Sequence, residues 1–180
     1  MKHKNGKLHP IILPTENKSM HTIIQPSNPK QAKEIAILLQ KSITELCGPD
    51  YDNNKTIVSD WLENKTEANI VKWIKNNDTY AISAFLENKI VGFGLFTING
   101  KILLLYVLPK FKGKYIGKSL YLYIEKLLLH KGVKRVIAYS TITAKPFYLK
   151  MGFKQFKNPI KVGDFNVEFP LEKNISTELL

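Results

Sequence analysis

The chain has one cysteine, Cys47, one arginine, Arg135, and no long apolar run. A lone cysteine excludes a disulfide framework and a thiolate-rich metal site. The four histidines, His3, His9, His21 and His130, are too scattered to form a His-x-x-x-His pair, so no metal is expected. The longest apolar run near the middle, Ile102 to Leu108, falls far short of the ~18 residues of a membrane helix. Near the N-terminus, Lys2, Lys4 and Lys7 precede only Ile11-Ile12-Leu13, too short beside the ~7–15 apolar residues of a secretory signal. These absences imply a soluble, cytoplasmic protein with no membrane partner. The shortage of arginine also bears on the formal charge of +12. Arginine is the residue that reads bases and forks phosphate. No RNP-like or helix-turn-helix pattern accompanies the lysines, so no nucleic-acid partner is expected.

What is present is ordinary globular material: 180 residues, 44% hydrophobic and 23% charged, enough for one domain with a real core. The charge is unevenly placed. From Pro109 to Arg135 eight basic residues stand against one acid, Glu125, a net of +7. From Glu45 to Glu63 five acids stand against one base, Lys55, a net of −4. The molecule is therefore polarised, with a basic segment and an acidic one.

Periodicity divides the chain as follows. Residues 1–19 are polar and proline-interrupted, and are expected to form a flexible tail; Met20 could be the true start. A short strand is expected at His21 to Gln25. After Pro26-Ser27-Asn28-Pro29, with Ser27 or Asn28 as cap, a helix carries Ala32, Ile35, Ala36, Leu38, Leu39, Ile43 and Leu46 on one face. Shorter helices are expected at 55–63 and 67–76. Strands at Thr79–Leu86, Ile90–Ile98 and Lys101–Leu108 read as an antiparallel meander, with Asn99-Gly100 as a two-residue hairpin turn. A helix from about Ile116 to near Gly132, a strand at Lys134–Ser140, a helix at Ala144–Met151 and strands at Phe153–Lys157 and Phe165–Leu171 complete the pattern. The strand-helix-strand over 101–140 predicts a right-handed crossover and a locally parallel strand pair. The fold class expected is α/β of the α+β type. It is one domain over 20–172 with a mixed, mostly antiparallel sheet of about six to seven strands, about four helices, and a C-terminal tail at 173–180.

The segment that carries chemistry is Val107-Leu108-Pro109-Lys110-Phe111-Lys112-Gly113-Lys114-Tyr115-Ile116-Gly117-Lys118-Ser119. A strand stops at Pro109, a basic loop with glycines follows, and a helix begins near Ile116. The first amides of a helix lack internal partners and sit at the positive end of its dipole, so this arrangement favours a phosphate. It is not a nucleotide-hydrolase P-loop. Three residues separate Gly113 from Gly117 where that motif needs four, and no acid lies in Val133–Ser140 to hold magnesium.

The segment resembles the acyl-CoA-binding motif of the GNAT superfamily of N-acetyltransferases, Arg/Gln-x-x-Gly-x-Gly/Ala after a strand ending in Val-x-Pro. The matching positions are Lys112, Tyr115 and Gly117. Lys112 stands where the family has Arg or Gln, and Tyr115 where it has glycine. A second segment, Thr141-Ile142-Thr143-Ala144-Lys145-Pro146-Phe147-Tyr148-Leu149-Lys150-Met151-Gly152-Phe153, is similar to the family's Ala-x-x-Phe-Tyr-x-x-x-Gly-Phe stretch. The stretch from Asp50-Tyr51 to Trp73-Ile74 resembles one bacterial branch of the superfamily.

The resemblance implies an N-acetyltransferase that moves an acetyl group from acetyl-CoA directly to a primary amine. The implied cofactor-binding residues are Leu105, Tyr106 and Val107 on the strand, through freed backbone amides, and Lys112, Gly113, Lys114, Tyr115, Ile116, Gly117 and Lys118 at the loop and helix start. Tyr148 is implied as the general acid for the departing thiolate, while Phe147 and Phe153 read as core aromatics. Candidate bases for the amine are Asp50, Asp52, Glu45 and Tyr106, among which no motif selects. The acidic stretch suits a cationic acceptor such as a polyamine, an aminoglycoside, or a protein lysine or N-terminus. Direct transfer needs no acyl-enzyme, so Cys47 reads as a buried helix residue. A homodimer fits the superfamily's habit. The alternatives are a catalytically degenerate acyl-CoA-binding protein of the same fold and a basic nucleic-acid-binding module.

Overall fold

The computed structural model describes residues 11–13, 22–52, 54–162 and 166–176. Its strands are β1 (Ile11–Leu13), β2 (Thr22–Pro26), β3 (Thr79–Leu86), β4 (Lys89–Thr97), β5 (Lys101–Val107), β6 (Arg135–Ser140), β7 (Lys154–Gln155), β8 (Ile160–Val162) and β9 (Asn166–Asn174). Its helices are α1 (Ala32–Leu46), α2 (Lys55–Glu63), α3 (Glu67–Lys75), α4 (Ile116–His130) and α5 (Lys145–Lys150). The sheet runs β1-β2-β3-β4-β5-β6-β9-β7, with β8 added on β9. Every pairing is antiparallel except β5 with β6, the parallel pair expected across α4.

Both faces of the central strands are covered, which is why β3 reads as an almost unbroken apolar run rather than an alternating one. Ala81, Phe93 and Leu95 pack with Ile35, Leu38 and Leu39 of α1 and Ile70 of α3. On the other face, Ile82, Ala84 and Phe96 pack with Ile116, Leu120 and Ile124 of α4. Gly92 sets the approach of α4. A Cβ there would lie 2.8 Å from Leu120 Cδ1 and 3.0 Å from Ile116 Cγ2, so only glycine lets the first turns of α4 settle on β4. Polar caps fix the helix starts: Asn54 accepts from Thr56 N–H on α2, and Thr66 from Asn69 N–H on α3. Asn28 caps the 3-10 turn that leads into α1, while Ser27 instead meets Ser83, Oγ to Oγ at 2.8 Å.

Several expectations need correction. Among the described residues the sheet has nine strands where about six to seven were expected, because β1 and β8 have three residues each, too few to show a period. The five helices among the described residues are those that periodicity marked, the six-residue α5 included, against the overall figure of about four. β1 falls inside the expected N-terminal tail and pairs with β2. The expected tail at 173–180 is in β9 for its first two residues, and Ile175 is buried. Asn99-Gly100 is not a two-residue turn. Residues 98–100 make a three-residue connection in which only Gly100 has positive φ, at 90°. The two-residue turn is Glu87-Asn88, with both φ values positive (48° and 62°) and Leu86 facing Lys89. His21, Phe165, Met20 and residues 1–10, 14–19 and 177–180 of the expected tails lie outside the described residues. Among the described residues no helix is long and apolar enough to cross a membrane.

Candidate functional site

The site begins where β5 and β6 part. β5 pairs with β4 from Ile102 to Val107, but with β6 only at Lys101↔Ile137 and Ile102↔Ala138. Beyond Ile102 the far edge of β5 faces a gap. Leu108 N–H bonds to Val91 O on β4, so Val107 points the opposite way, and its carbonyl accepts the Ser42 hydroxyl from α1 at 2.6 Å. By strand alternation the amides of Leu105 and Val107 face the gap, whereas that of Tyr106 faces Phe93 on β4. An unpaired strand edge inside a fold is a set of donors awaiting a ligand.

The loop after β5 supplies the second set. Residues 109–111 form a 3-10 turn, and Lys112 N–H and Lys114 N–H are taken up by Pro109 O and Phe111 O at 3.0 and 3.1 Å. Tyr115 adopts the left-handed region, φ 62°, and its carbonyl accepts the first α4 bond, from Ser119 N–H at 2.9 Å. The amides of Ile116, Gly117 and Lys118 are thus the unpaired first turn of α4, with the Gly113 amide beside them. The fold itself does not demand glycine at 117. A Cβ there would lie 3.5 Å from Phe147 Cε2 and 3.9 Å from Val107 Cγ1, ordinary contacts between two side chains that line a cavity.

That cavity, of about 490 Å³, joins the open β5 edge to the α4 N-terminus and to α5. Of the eleven residues expected at the site, nine line it: Leu105, Val107, Lys112, Gly113, Tyr115, Ile116, Gly117, Lys118 and Tyr148. Tyr106 and Lys114 do not. The Tyr106 side chain packs towards α1, and Lys114 Nζ lies 5.5 Å from the Phe111 ring centre. Sequence reasoning missed Leu46 and Thr143 on the wall, and it took Phe147 for a core aromatic although it is a half-buried wall residue. Thr143 stands next to the first matching residue of the second family-like segment, and the motif gives it no role. Phe153 is core, as expected.

Tyr148 is 6% exposed, held edge-on between Phe147 and Phe153 with ring centres 5.2 and 5.1 Å away. Its hydroxyl has no hydrogen-bond partner among the described residues. Burial pushes its pKa up, so the phenol stays protonated well beyond neutral pH.

The acidic stretch divides by burial. Glu45, Asp52, Asp60 and Glu63 are exposed, but Asp50 is buried and accepts Thr143 N–H at 2.7 Å. Cys47, also buried, has its thiol pushed up to about 12, first by burial and then by Asp50. A thiol held protonated is no nucleophile. Burial likewise raises Tyr106 and opposes its use as a base.

A family model described as an acetyltransferase (GNAT) domain matches residues 44–169. Spermidine N(1)-acetyltransferase of Thermoplasma acidophilum is 32% identical over 91 residues, 47% of this chain and 56% of that protein, so the chain matches little more than half of that relative's length. Among solved structures, a GCN5-related N-acetyltransferase from Rhodopseudomonas palustris superposes with a TM-score of 0.76 at 21% identity, over 92% of this chain and 98% of that one. The PaiA N-acetyltransferase of Thermoplasma acidophilum, in complex with coenzyme A, gives 0.75 at 24% identity, over 85% and 98%. The aminoglycoside 6'-N-acetyltransferase of Enterococcus faecium gives 0.66 at 17%, over 86% and 98%. At these identities the structural matches establish the fold.

Proposed function

We propose that this chain, which belongs to the acetyltransferase (GNAT) family, is an N-acetyltransferase that carries an acetyl group from acetyl-CoA directly to a primary amine. The observation that carries this reading is one cavity with three features: amides on an open strand edge, unpaired amides at a helix start, and an unpartnered tyrosine hydroxyl.

The pyrophosphate of the co-substrate would rest on the amides of Gly113 and of Ile116 to Lys118. Lys112 and Lys118 add charge at the cavity wall, and the helix dipole adds to both. The thioester carbonyl would accept from the Leu105 or Val107 amide, each well-placed donor lowering the barrier by roughly 3 kcal/mol. The neutral amine attacks the carbonyl carbon, forming the C–N bond. The C–S bond then breaks, and sulfur leaves with the electron pair. Tyr148 donates to that sulfur. A free phenol near 10 is a weaker acid than a thiol near 8.5, so full transfer is uphill by roughly 2 kcal/mol, and burial steepens it. The role best suited to Tyr148 is therefore a hydrogen bond that strengthens as charge grows on sulfur, with the amine's proton restoring neutrality. Alkylamines hold their proton to about 10.4, so a base or water chain must also act.

The test is an amine panel read by free-thiol release. Turnover on any primary amine supports the reading. Thermal stabilisation by acetyl-CoA with no thiol release across the panel would instead mark a binding protein of the same fold.

A further inference from the structure

Three hydrogen bonds fix the course of α1 and the turn after it across the sheet. Glu34, in the first turn of α1, accepts Ile90 N–H of β4 at 3.0 Å. Ser42, further along the helix, donates to the Val107 carbonyl of β5 at 2.6 Å. Asp50, in the 3-10 turn Gly48–Tyr51, accepts Thr143 N–H at 2.7 Å, and Thr143 follows the end of β6. The segment therefore crosses β4, then β5, then the gap, and ends beyond β6. Leu46 stands midway between the last two anchors and on the Ser42 face of α1, because residues four apart lie one above the other. Its side chain thus lies over the gap. Among the described residues it is the one residue that α1 gives to the cavity wall. The rest of the wall comes from β5, the loop and first turn of α4, and α5 with its flanking residues.

Leu46 has nowhere to retreat. It is half-buried and packs on the buried cluster of Ile43, Cys47 and Tyr51. Across the wall, Thr143 is tied down by Asp50, and its hydroxyl is enclosed. A close-packed apolar backing of this kind resists added methylenes, because its side chains would have to leave their rotamers.

We propose that Leu46 is the acyl-length stop of this cavity. Its side chain meets the methyl of an acetyl group whose thioester carbonyl rests on the β5 edge, and it leaves no room for two further methylenes. The stop rests on the acetyltransferase reading and deepens it, by assigning the residue that selects acetyl-CoA over longer acyl-CoA.

Calorimetric titration with coenzyme A, acetyl-CoA and butyryl-CoA tests the stop without an acceptor. Wild type should bind butyryl-CoA at least about tenfold more weakly than acetyl-CoA, the scale on which an apolar pocket tells one methylene from another. Leu46→Ala should bring butyryl-CoA to within about threefold of acetyl-CoA and leave coenzyme A within about twofold of wild type. Leu46→Phe moves the stop inward and should weaken acetyl-CoA at least about fivefold relative to coenzyme A. A merely structural role would weaken the three ligands together and overturn the stop. Equal affinities for acetyl-CoA and butyryl-CoA in wild type, or a preference unchanged by Leu46→Ala, also overturn it and leave the acetyltransferase reading standing. A chain that binds none of the three overturns that reading and the stop with it. Should Leu46→Ala melt below the assay temperature, Leu46→Phe decides alone, and an unchanged ratio of acetyl-CoA to coenzyme A affinity there overturns the proposal.

Discussion

Ser42 on α1 donates its hydroxyl to the Val107 carbonyl at the end of β5, 2.6 Å away and 65 residues on in the chain. This bond fills the carbonyl that β6 would have met had the two strands stayed together. It leaves the neighbouring amides facing the cavity. Ser42→Ala should therefore cost about 1–3 kcal/mol, the penalty for leaving a buried acceptor unmet. For a chain of this length that is a fall in Tm of several degrees. Turnover at saturating acetyl-CoA should fall with it, because Val107 loses the bond that orients its peptide. A melt and a single-turnover rate check both.

Gly117→Val should remove the stabilisation by acetyl-CoA. At about 100 times Kd, a ligand selective for the folded state adds about 2.7 kcal/mol, worth roughly 5–10 °C in Tm here. Contacts no closer than 3.5 Å await a Cβ at this position, so the unliganded variant should melt close to wild type. A shift as large in Gly117→Val as in wild type would remove the first turn of α4 from the phosphate site.

Tyr148→Phe should preserve Tm and acetyl-CoA affinity and lose about 100-fold in turnover. A packed aromatic with no chemical role would lose less than about threefold, since phenylalanine fills nearly the same space. The raised pKa adds a second readout. Turnover should show no alkaline loss from Tyr148 at the ordinary phenol value of about 10.

Alkaline stability is governed in part by Cys47. Its thiol ionises near 9.0 when unfolded and at about 12 when folded. Above 9.0 the unfolded state binds fewer protons than the native state, so stability falls as pH rises towards about 12. Below that window the group contributes its full share. Cys47→Ala should flatten the decline of urea-measured stability between pH 9 and pH 12, although the cavity it leaves lowers stability at every pH. An equal slope in the two proteins would take Cys47 out of the decline and assign it to the buried tyrosines and the lysines, which titrate in the same range.

Tyr115 holds a left-handed backbone, φ 62°, with its side chain about half exposed. That conformation costs a non-glycine residue about 1–2 kcal/mol. Glycine would relieve it while adding about 0.5–1 kcal/mol of unfolded-state entropy. Tyr115→Gly should leave Tm unchanged or raise it by a few degrees, and acetyl-CoA affinity should not weaken. A marked loss of affinity would mean that the Tyr115 ring itself contacts the ligand.

Nine of the eleven residues expected at the site come to line one cavity because the two motifs that name them are local. Lys112 to Lys118 and Ala144 to Phe153 each act through short-range backbone geometry, and the helix and strand between them follow from apolar spacing. That Tyr106 lies off the cavity wall has a different origin. Which alternate residue of β5 faces the gap depends on strand phase, and that phase is set by the register shift between Leu95 and Phe96. Lys114 likewise lies off the wall, in a turn whose course composition does not reveal.

By itself the sequence determined α1, α4 and the β3–β5 meander within a residue or two, together with the basic loop at a helix start. Periods of two and 3.6 and the glycine positions act over a few residues, where spacing alone dictates which face is apolar. Tertiary structure alone decided that β5 leaves β6 after Ile102, that Ser42 caps Val107, and that Asp50 reaches Thr143 across 93 residues. These are choices of hydrogen-bond partner between segments far apart in the chain. They depend on register, bulges and the packing of helices on the sheet, which no local period encodes.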